Sequence, residues 1–286
     1  MTILSGKARV AGIIGWPVEH SRSPRLHGFW LERHGIDGAY VPLPIRPEAF
    51  ALAVRGLAAA GFAGANVTAP HKLAAFEICD TVEASARRAG AVNTLVFQDG
   101  RITGRNTDGL GFVANLRAHG VDPAAGPALV LGAGGAARAV IYALKSRGFK
   151  RIAVVNRTRG RAEALAAHFG GPAEAASWGD LRAELREADL LVNTSLLGMA
   201  GQPPLAVDLS PLPDRAVVAD IIYVPLRTPL IEAARARRLR AAEGLGMLLH
   251  QAAPGFARWF GVRPTVTPAL RALVEAEVLA TQVEAQ

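Results

Sequence analysis

Residues 129–137 read Leu-Val-Leu-Gly-Ala-Gly-Gly-Ala-Ala. An apolar run of strand length passes straight into glycines and then into small, helix-compatible residues, so the chain turns from strand to helix with almost no connecting loop. Such a unit buries its surfaces where the strand lies among parallel neighbours and the helix covers the sheet, which commits this region to α/β architecture. Gly132 permits the tight turn, Gly134 lets a pyrophosphate approach the backbone, and Ala137 takes the third fingerprint position. The helix beginning near Gly135 offers unpaired N–H groups and its positive end to phosphates. The plainer alternative is a strand-to-helix turn that holds no ligand.

The next strand is expected to end in Val154-Val155-Asn156-Arg157-Thr158-Arg159-Gly160-Arg161. An NAD-binding protein usually carries Asp or Glu here to hold both ribose hydroxyls. Asn156 stands there instead, 24 positions beyond Gly132, followed by Arg157, Arg159 and Arg161, which suit a 2′-phosphate through bidentate, charge-assisted contacts. The pattern favours NADP over NAD. The competing reading is a solvated basic helix start, although cations at a helix N-terminus oppose its dipole.

Alternation continues on both sides of this motif. Strands are expected at Arg9–Gly15, Tyr40–Leu43 and Ala63–Thr68, with helices at Pro24–His34, Pro47–Ala60, Leu73–Ile78 and Val82–Arg88. A hairpin from Val92–Phe97 and Arg101–Thr103 closes this set. A helix bearing Phe112, Val113 and Leu116 and a linker-like loop over Asp122–Pro127 lead to strands at Ala128–Leu131, Arg151–Val155, Leu190–Asn193 and Ala216–Asp220. Helices follow at Pro229–Arg238, Met247–Phe260 and Pro268–Val283. The fold class expected is α/β with two domains: a parallel-sheet domain over 1–108 and a Rossmann domain over 109–242, with helices of 243–286 packing back on the first.

Composition removes other classes. At 286 residues and 50% hydrophobic content, the chain has ample material for real cores. The lone Cys79 cannot make an internal disulfide and lacks metal-like spacing, so a reducing cytoplasm and no metal are expected. Met1–Lys7 lacks an apolar core of signal-peptide length, and the stretch from Ala128 to Leu144 is broken by glycines and Arg138, so no membrane segment is expected. The net charge is +8, yet the arginines are scattered and no aromatic platform is interleaved with them. An anionic small molecule, rather than nucleic acid, fits that surplus.

Arginine outnumbers lysine 28 to 4, so a lysine here is an informative choice. Lys72 follows the third strand in Asn66-Val67-Thr68-Ala69-Pro70-His71-Lys72, at the carboxyl end of a sheet where ligands of such folds bind. Lysine can lose its proton during turnover and arginine in practice cannot; an ordinary lysine in a first helical turn is the other reading. Asp108 at a helix start, and Ser21-Arg22-Ser23-Pro24 with Ser23 as N-cap, are equally open to capping and to ligand binding. His71 reads as a helix-start residue, since no partner falls at metal spacing.

Seven segments taken in order, His20-Ser21-Arg22-Ser23-Pro24, Gly64-Ala65-Asn66-Val67-Thr68 with Lys72, Gly90-Ala91-Val92-Asn93-Thr94, Asn106-Thr107-Asp108-Gly109, Gly132-Ala133-Gly134-Gly135-Ala136, Asn156-Arg157-Thr158 and Gly244-Leu245-Gly246-Met247-Leu248 through Gln251, resemble the shikimate dehydrogenase family over nearly the whole chain. The resemblance implies NADP-dependent interconversion of 3-dehydroshikimate and shikimate in a cleft between a substrate domain and a Rossmann domain. It implies that Ser21 and Ser23, helped by Tyr223, bind the substrate carboxylate, and that Asn66, Thr68, Asn93, Asp108 and Gln251 hold ring hydroxyls. Lys72 and Asp108 would form the catalytic pair. Gly132, Gly134, Gly135 and Ala136 would take the pyrophosphate, and Asn156, Arg157, Thr158 and Arg161 the adenosine phosphate. Thr194, Ser195, Gly244 and Met247 would lie near the nicotinamide. Ala69 and Leu196-Leu197 depart from the family pattern.

Hydride transfer to or from a ring carbon requires a proton to leave or reach the attached oxygen, which calls for one positioned acid/base group. Lys72 is the candidate, either as that acid/base or as a cationic donor kept charged by Asp108. A quinate/shikimate dehydrogenase and a catalytically silent NADP-binding protein on the same fold are the alternatives. A monomer or homodimer is expected.

Overall fold

The computed structural model describes residues 3–121 and 126–284, with side chains through 281 in the last helix. The expected linker therefore lies, at residues 122–125, outside the described residues, as do Met1 and Thr2 of the N-terminal stretch. The chain forms two compact units, Met1–Thr107 with Gln251–Glu277 and Asp108–His250 with Val278–Gln286. No helix among the described residues is long and apolar enough to cross a membrane.

Unit 1 opens with β1 (Arg9–Gly15), α1 (Ser23–Arg33), β2 (Gly38–Pro44), α2 (Phe50–Ala59) and β3 (Gly64–Val67). It continues through α3 (Lys72–Ile78), β4 (Thr81–Val82), α4 (Ala84–Ala89), β5 (Thr94–Gln98) and β6 (Arg101–Arg105). The six strands lie in the order β2-β1-β3-β5-β6-β4. Strands β1, β2 and β3 run parallel, and the expected hairpin supplies β5, antiparallel to both β3 and β6. One face of this sheet buries Ile14, Ala65, Val67 and Leu95 against Phe50 and Val54 of α2 and Ala75 of α3, apolar area worth roughly 25 cal/mol per Å² removed from water.

Unit 2 begins with α5 (Asp108–Ala118) and runs through β7 (Ala128–Leu131), α6 (Gly135–Ser146), β8 (Ile152–Val155), α7 (Arg159–Phe169), β9 (Ala173–Ala176) and α8 (Leu181–Glu187). Then come β10 (Leu190–Asn193), β11 (Val217–Asp220), α9 (Pro229–Ala236) and β12 (Arg240–Ala242). The sheet order is β12-β11-β10-β7-β8-β9, with every pairing parallel. Successive side chains of one strand alternate between two cores: Val130, Ile152, Val154 and Val192 enter the first, while Leu129, Leu131, Val155 and Leu191 enter the second. A sheet covered on both faces explains why these strands read as continuous apolar runs. Strand order reverses between β7 and β10, and ligands of doubly wound sheets bind at such a reversal, beyond the carboxyl ends of the strands.

Two further helices complete the chain, α10 (Leu245–Phe260) and α11 (Pro268–Glu284). The part of α10 from Gln251 onward belongs to unit 1. There the Trp259 indole N–H donates to Leu95 O at 2.9 Å, and the ring lies so close over Gly64 that any β-carbon at that position would collide with it. The Trp30 indole donates in turn to Thr265 O at 3.1 Å.

Candidate active site

The carboxyl ends of β3 and β6 and the start of β5 meet in a buried cluster of neutral polar side chains. Asn66, on β3, accepts the Tyr40 hydroxyl at Oδ1 (2.7 Å) and donates from Nδ2 to Asn93 O (3.2 Å) and Thr94 Oγ1 (3.3 Å). Asn93 is the hub. Its Oδ1 accepts from Thr107 N at 2.8 Å and from Thr94 Oγ1 at 2.9 Å, and its Nδ2 reaches Thr107 Oγ1 at 2.9 Å and Gln251 Oε1 at 3.2 Å. Asn66, Asn93, Thr94, Thr107 and Gln251 are all buried, and amides in that position must be paired to offset their lost hydration.

Lys72 is the first residue of α3, immediately after the turn that follows β3. Its carbonyl accepts from Val92 N at 3.0 Å, which ties the start of α3 to the segment entering β5. Thr68 N donates to Ile14 O, and His71 N to Thr68 O, both at 2.9 Å. The His71 ring stacks on Phe50 with centroids 4.6 Å apart and meets Ile45 O at 2.7 Å. Through those two contacts His71 braces the turn just before Lys72, and burial lowers its pKa, with the Ile45 hydrogen bond opposing. Asp108 opens α5 and is buried.

The expectation for Ser23 needs correction. Ser23 is the first residue of α1 and Arg22 its cap residue, without a side-chain cap bond. Ser21 instead turns its Oγ toward the helix start and accepts from Ser23 N at 3.3 Å. Proline within the first turn fits either register, which is why sequence placed the start one residue late.

In unit 2 the glycine turn is shaped by the neighbouring strand. Gly132 has φ +110°, and a β-carbon there would lie 2.8 Å from Thr194 Oγ1 and 3.0 Å from Ser195 N. Gly132 N donates to Val155 O, and Thr194 donates to Leu131 O from both N and Oγ1, all at 2.8 Å. A β-carbon on Gly134 would meet nothing within 4 Å. Helix α6 starts at Gly135 with no side-chain cap and no acidic residue in its first turn, which includes Ala136. An open approach to an uncapped helix start suits a diphosphate. At the end of β8, Asn156 Nδ2 donates to Thr158 O at 2.9 Å. Arg157, Thr158 and Arg161 are exposed, while Arg159 pairs with Glu163 at 2.8 Å. These donors, without a carboxylate among Asn156–Arg161, fit a phosphorylated ribose better than a bare diol.

Ser195, beside Thr194, belongs to a second network of hydrogen bonds. Ser195 donates from N (3.0 Å) and Oγ (2.7 Å) to Asn193 Oδ1, and Asn193 Nδ2 donates to Asp220 Oδ1 at 3.0 Å. Asp220 also accepts from Ile222 N at 3.0 Å and from Thr228 Oγ1 at 2.7 Å. Burial pushes its carboxyl up to about 6, against the pull of these hydrogen bonds. This network fixes the loops after β10 and β11, the latter carrying Tyr223. Gly244 sits against the main chain of Ile221 and Ile222, where a β-carbon would collide. Met247 packs into the apolar core with Phe112 and Leu116.

Asn66, Asn93 and Gln251 are thus joined in unit 1, and Gly132, Thr194 and Ser195 at the strand-order reversal of unit 2. Sequence reasoning passed over Tyr40, Thr94, Asn193, Asp220 and Thr228. Their signal was weak: a lone polar residue at the end of an apolar run, as in Asn193 and Asp220. Among the described residues, no group of three or more His, Cys, Asp or Glu side chains gathers in a way that could hold a metal ion.

Comparison with known proteins places this arrangement. Residues 13–95 match the shikimate dehydrogenase substrate binding domain, residues 119–197 the shikimate / quinate 5-dehydrogenase family, and residues 244–274 the shikimate 5′-dehydrogenase C-terminal domain. The chain is 63% identical over 277 residues to the NADP(+) shikimate dehydrogenase of Acidiphilium cryptum, covering 97% of this chain and 99% of that one. Identity to the NADP(+) shikimate dehydrogenase of Rhodospirillum rubrum is 58% over 279 residues, covering 95% and 99%. The solved shikimate 5-dehydrogenase of Thermus thermophilus, in complex with NADP(H) and shikimate, superposes with a TM-score of 0.84 at 38% identity, covering 95% of this chain and 99% of that one. With a glycine turn built for a dinucleotide and a hydroxyl-lined end to its first sheet, the chain belongs to the shikimate dehydrogenase family.

Proposed function

We propose that this protein is an NADP-dependent dehydrogenase that interconverts 3-dehydroshikimate and shikimate, with Lys72 and Asp108 as its acid–base pair. The observation that carries this reading is the amide and hydroxyl network centred on Asn93, whose strand entry is bonded to the carbonyl of Lys72. A lining of buried neutral donors and acceptors suits the hydroxyls of a polyol ring, and a lysine beside it suits the oxygen that must change protonation.

When bound, NADP supplies or accepts the hydride. The residues suited to hold it are Gly134, Gly135 and Ala136 at the start of α6, with Asn156, Arg157, Thr158 and Arg161 toward the ribose phosphate and Thr194, Ser195, Gly244 and Met247 toward the nicotinamide. Ser21, Ser23 and Tyr223 would bind the substrate carboxylate. Asn66, Thr68, Asn93 and Gln251 would hold ring hydroxyls, excluding water by replacing it. Lys72 would hold or move the proton at the reacting oxygen, and Asp108 would orient it. The protein would act in the cytoplasm on small molecules alone, as a monomer or homodimer.

Mixing the purified protein with shikimate and NADP+ should produce reduced nicotinamide. Turnover with quinate at a higher kcat/KM than with shikimate would move the assignment to the other acid, and no reduction with either would overturn it.

A further inference from the structure

Tyr40 lies behind Asn66 in a closed aromatic packing. The His27 ring stacks on it face to face, with centroids 3.9 Å apart and planes 9° apart, and Trp259 approaches it at 5.9 Å. His27 in turn packs against Phe256 at 5.8 Å. Burial drives the His27 pKa down to about 3, so the ring beside Tyr40 stays neutral and the stack does not change charge across the physiological range. Phe256 and Trp259 lie on α10, the helix that also carries Gln251. One helix therefore braces both ends of the polar cluster, Gln251 on Asn93, Trp259 on Tyr40 and Phe256 on the His27 ring behind it.

Tyr40 ends in the shortest bond to the Asn66 side chain, its hydroxyl donating to Oδ1 at 2.7 Å. An asparagine amide can sit either way round, and only its partners decide which atom faces a ligand. The Asn93 carbonyl can only accept and so fixes the side that Nδ2 faces, while the Tyr40 hydroxyl donating to Oδ1 holds the amide at its other end.

We infer that Tyr40 is a positioning residue for substrate recognition: held by the His27 stack, its hydroxyl anchors the oxygen end of the Asn66 amide, whose nitrogen end the Asn93 carbonyl holds, and thereby sets the fit of the ring hydroxyl that Asn66 would bind. The inference rests on the shikimate dehydrogenase reading and deepens it. Tyr40 touches neither the substrate nor the cofactor in this scheme, so its loss should alter substrate recognition and leave the chemical step alone.

The test is Tyr40→Phe in the full-length protein, which keeps the stacked ring and deletes one oxygen. The KM for shikimate should rise about tenfold, with kcat and the KM for NADP+ within about twofold of wild type. A purely structural role would instead lower kcat through a smaller active fraction and leave KM in place. In a double-variant cycle read by shikimate titration, Tyr40→Phe should add less than about twofold to the Kd once Asn66→Ala is present. An unchanged KM, a loss confined to kcat, or effects that multiply in the double variant would each overturn the inference. Wild-type protein that does not oxidise shikimate would instead overturn the reading beneath it.

Discussion

Unit 1 ties its strand ends together with amides and hydroxyls around Asn93, whereas unit 2 ties its own with a carboxylate, Asp220. An amide donates on one side and accepts on the other, so a network of amides can meet an alcohol of either polarity. An ionised carboxylate only accepts, and it therefore fixes every neighbour as a donor: Asn193 Nδ2, Ile222 N and Thr228 Oγ1. The first arrangement suits reading a polyol; the second suits holding two loops rigid at the edge of a dinucleotide site. The units also carry buried groups that answer pH in opposite directions, His27 with a lowered pKa in one and Asp220 with a raised pKa in the other.

The hardest test of this division is Lys72→Ala. Acid–base catalysis typically supplies about 10²–10⁴-fold, so kcat should fall by roughly that factor while the NADP+ Kd, a property of unit 2, stays put. A near-normal kcat would remove Lys72 from the chemistry.

The pH comparison comes next. His27 has its folded pKa lowered to about 3 from an ordinary 6.5, so the stability it contributes is present above 6.5 and lost as pH falls toward 3. Asp220 has its folded pKa raised from 3.8 to about 6, so its contribution is present below 3.8 and lost as pH rises through 6. Each amounts to about 1.4 kcal/mol per pH unit across its window. Hydrogen exchange corrected for intrinsic rates should show β3 and β5 opening more easily from pH 6.5 down, and β10 and β11 opening less easily from pH 6 to 4. His27→Phe should flatten the first trend and Asp220→Asn the second; trends surviving those changes would assign them to other groups.

Gly132→Ala probes unit 2 alone. The β-carbon enters φ +110° and presses on Thr194 Oγ1, a cost of about 1–3 kcal/mol. The melting temperature should drop and NADP+ binding weaken, with shikimate binding to the folded protein unchanged. Smallest of all is Arg157→Ala, expected to raise the NADP+ Kd about tenfold, or about 1.4 kcal/mol, and the NAD+ Kd by less than twofold. Equal effects on the two cofactors would show that Arg157 does not read the extra phosphate.

Much of the fold was legible because unit 2's central strands are buried on both faces. Ala128–Leu131 and Leu190–Asn193 begin and end where their apolar runs do. Strands at sheet margins escaped notice: β9 reads Ala-Glu-Ala-Ala and β12 Arg-Ala-Ala, each paired on one side only. With half their surface open, they need no apolar run to mark them. In the candidate site, glycines and capping-type residues announced Gly132, Ser21 and Asp108, since turn chemistry is local. The Tyr40–Asn66 bond and the Asn193–Asp220 pair were not legible, because they depend on which strands become neighbours and in what register: Asn193 opposite Asp220, and Asn66 two strands from Tyr40.

The reach of Trp259 to Leu95 bears on how the molecule is made. The residues of unit 2 up to His250 emerge from the ribosome as one unbroken stretch, but the sheet of β1 to β6 lacks Gln251, Phe256 and Trp259 until some 150 residues after its last strand has been synthesised. At roughly 5–20 residues per second, the portion translated first waits about 8 to 30 seconds for the helix that finishes it, and nascent chains stalled before that helix should leave it open to protease.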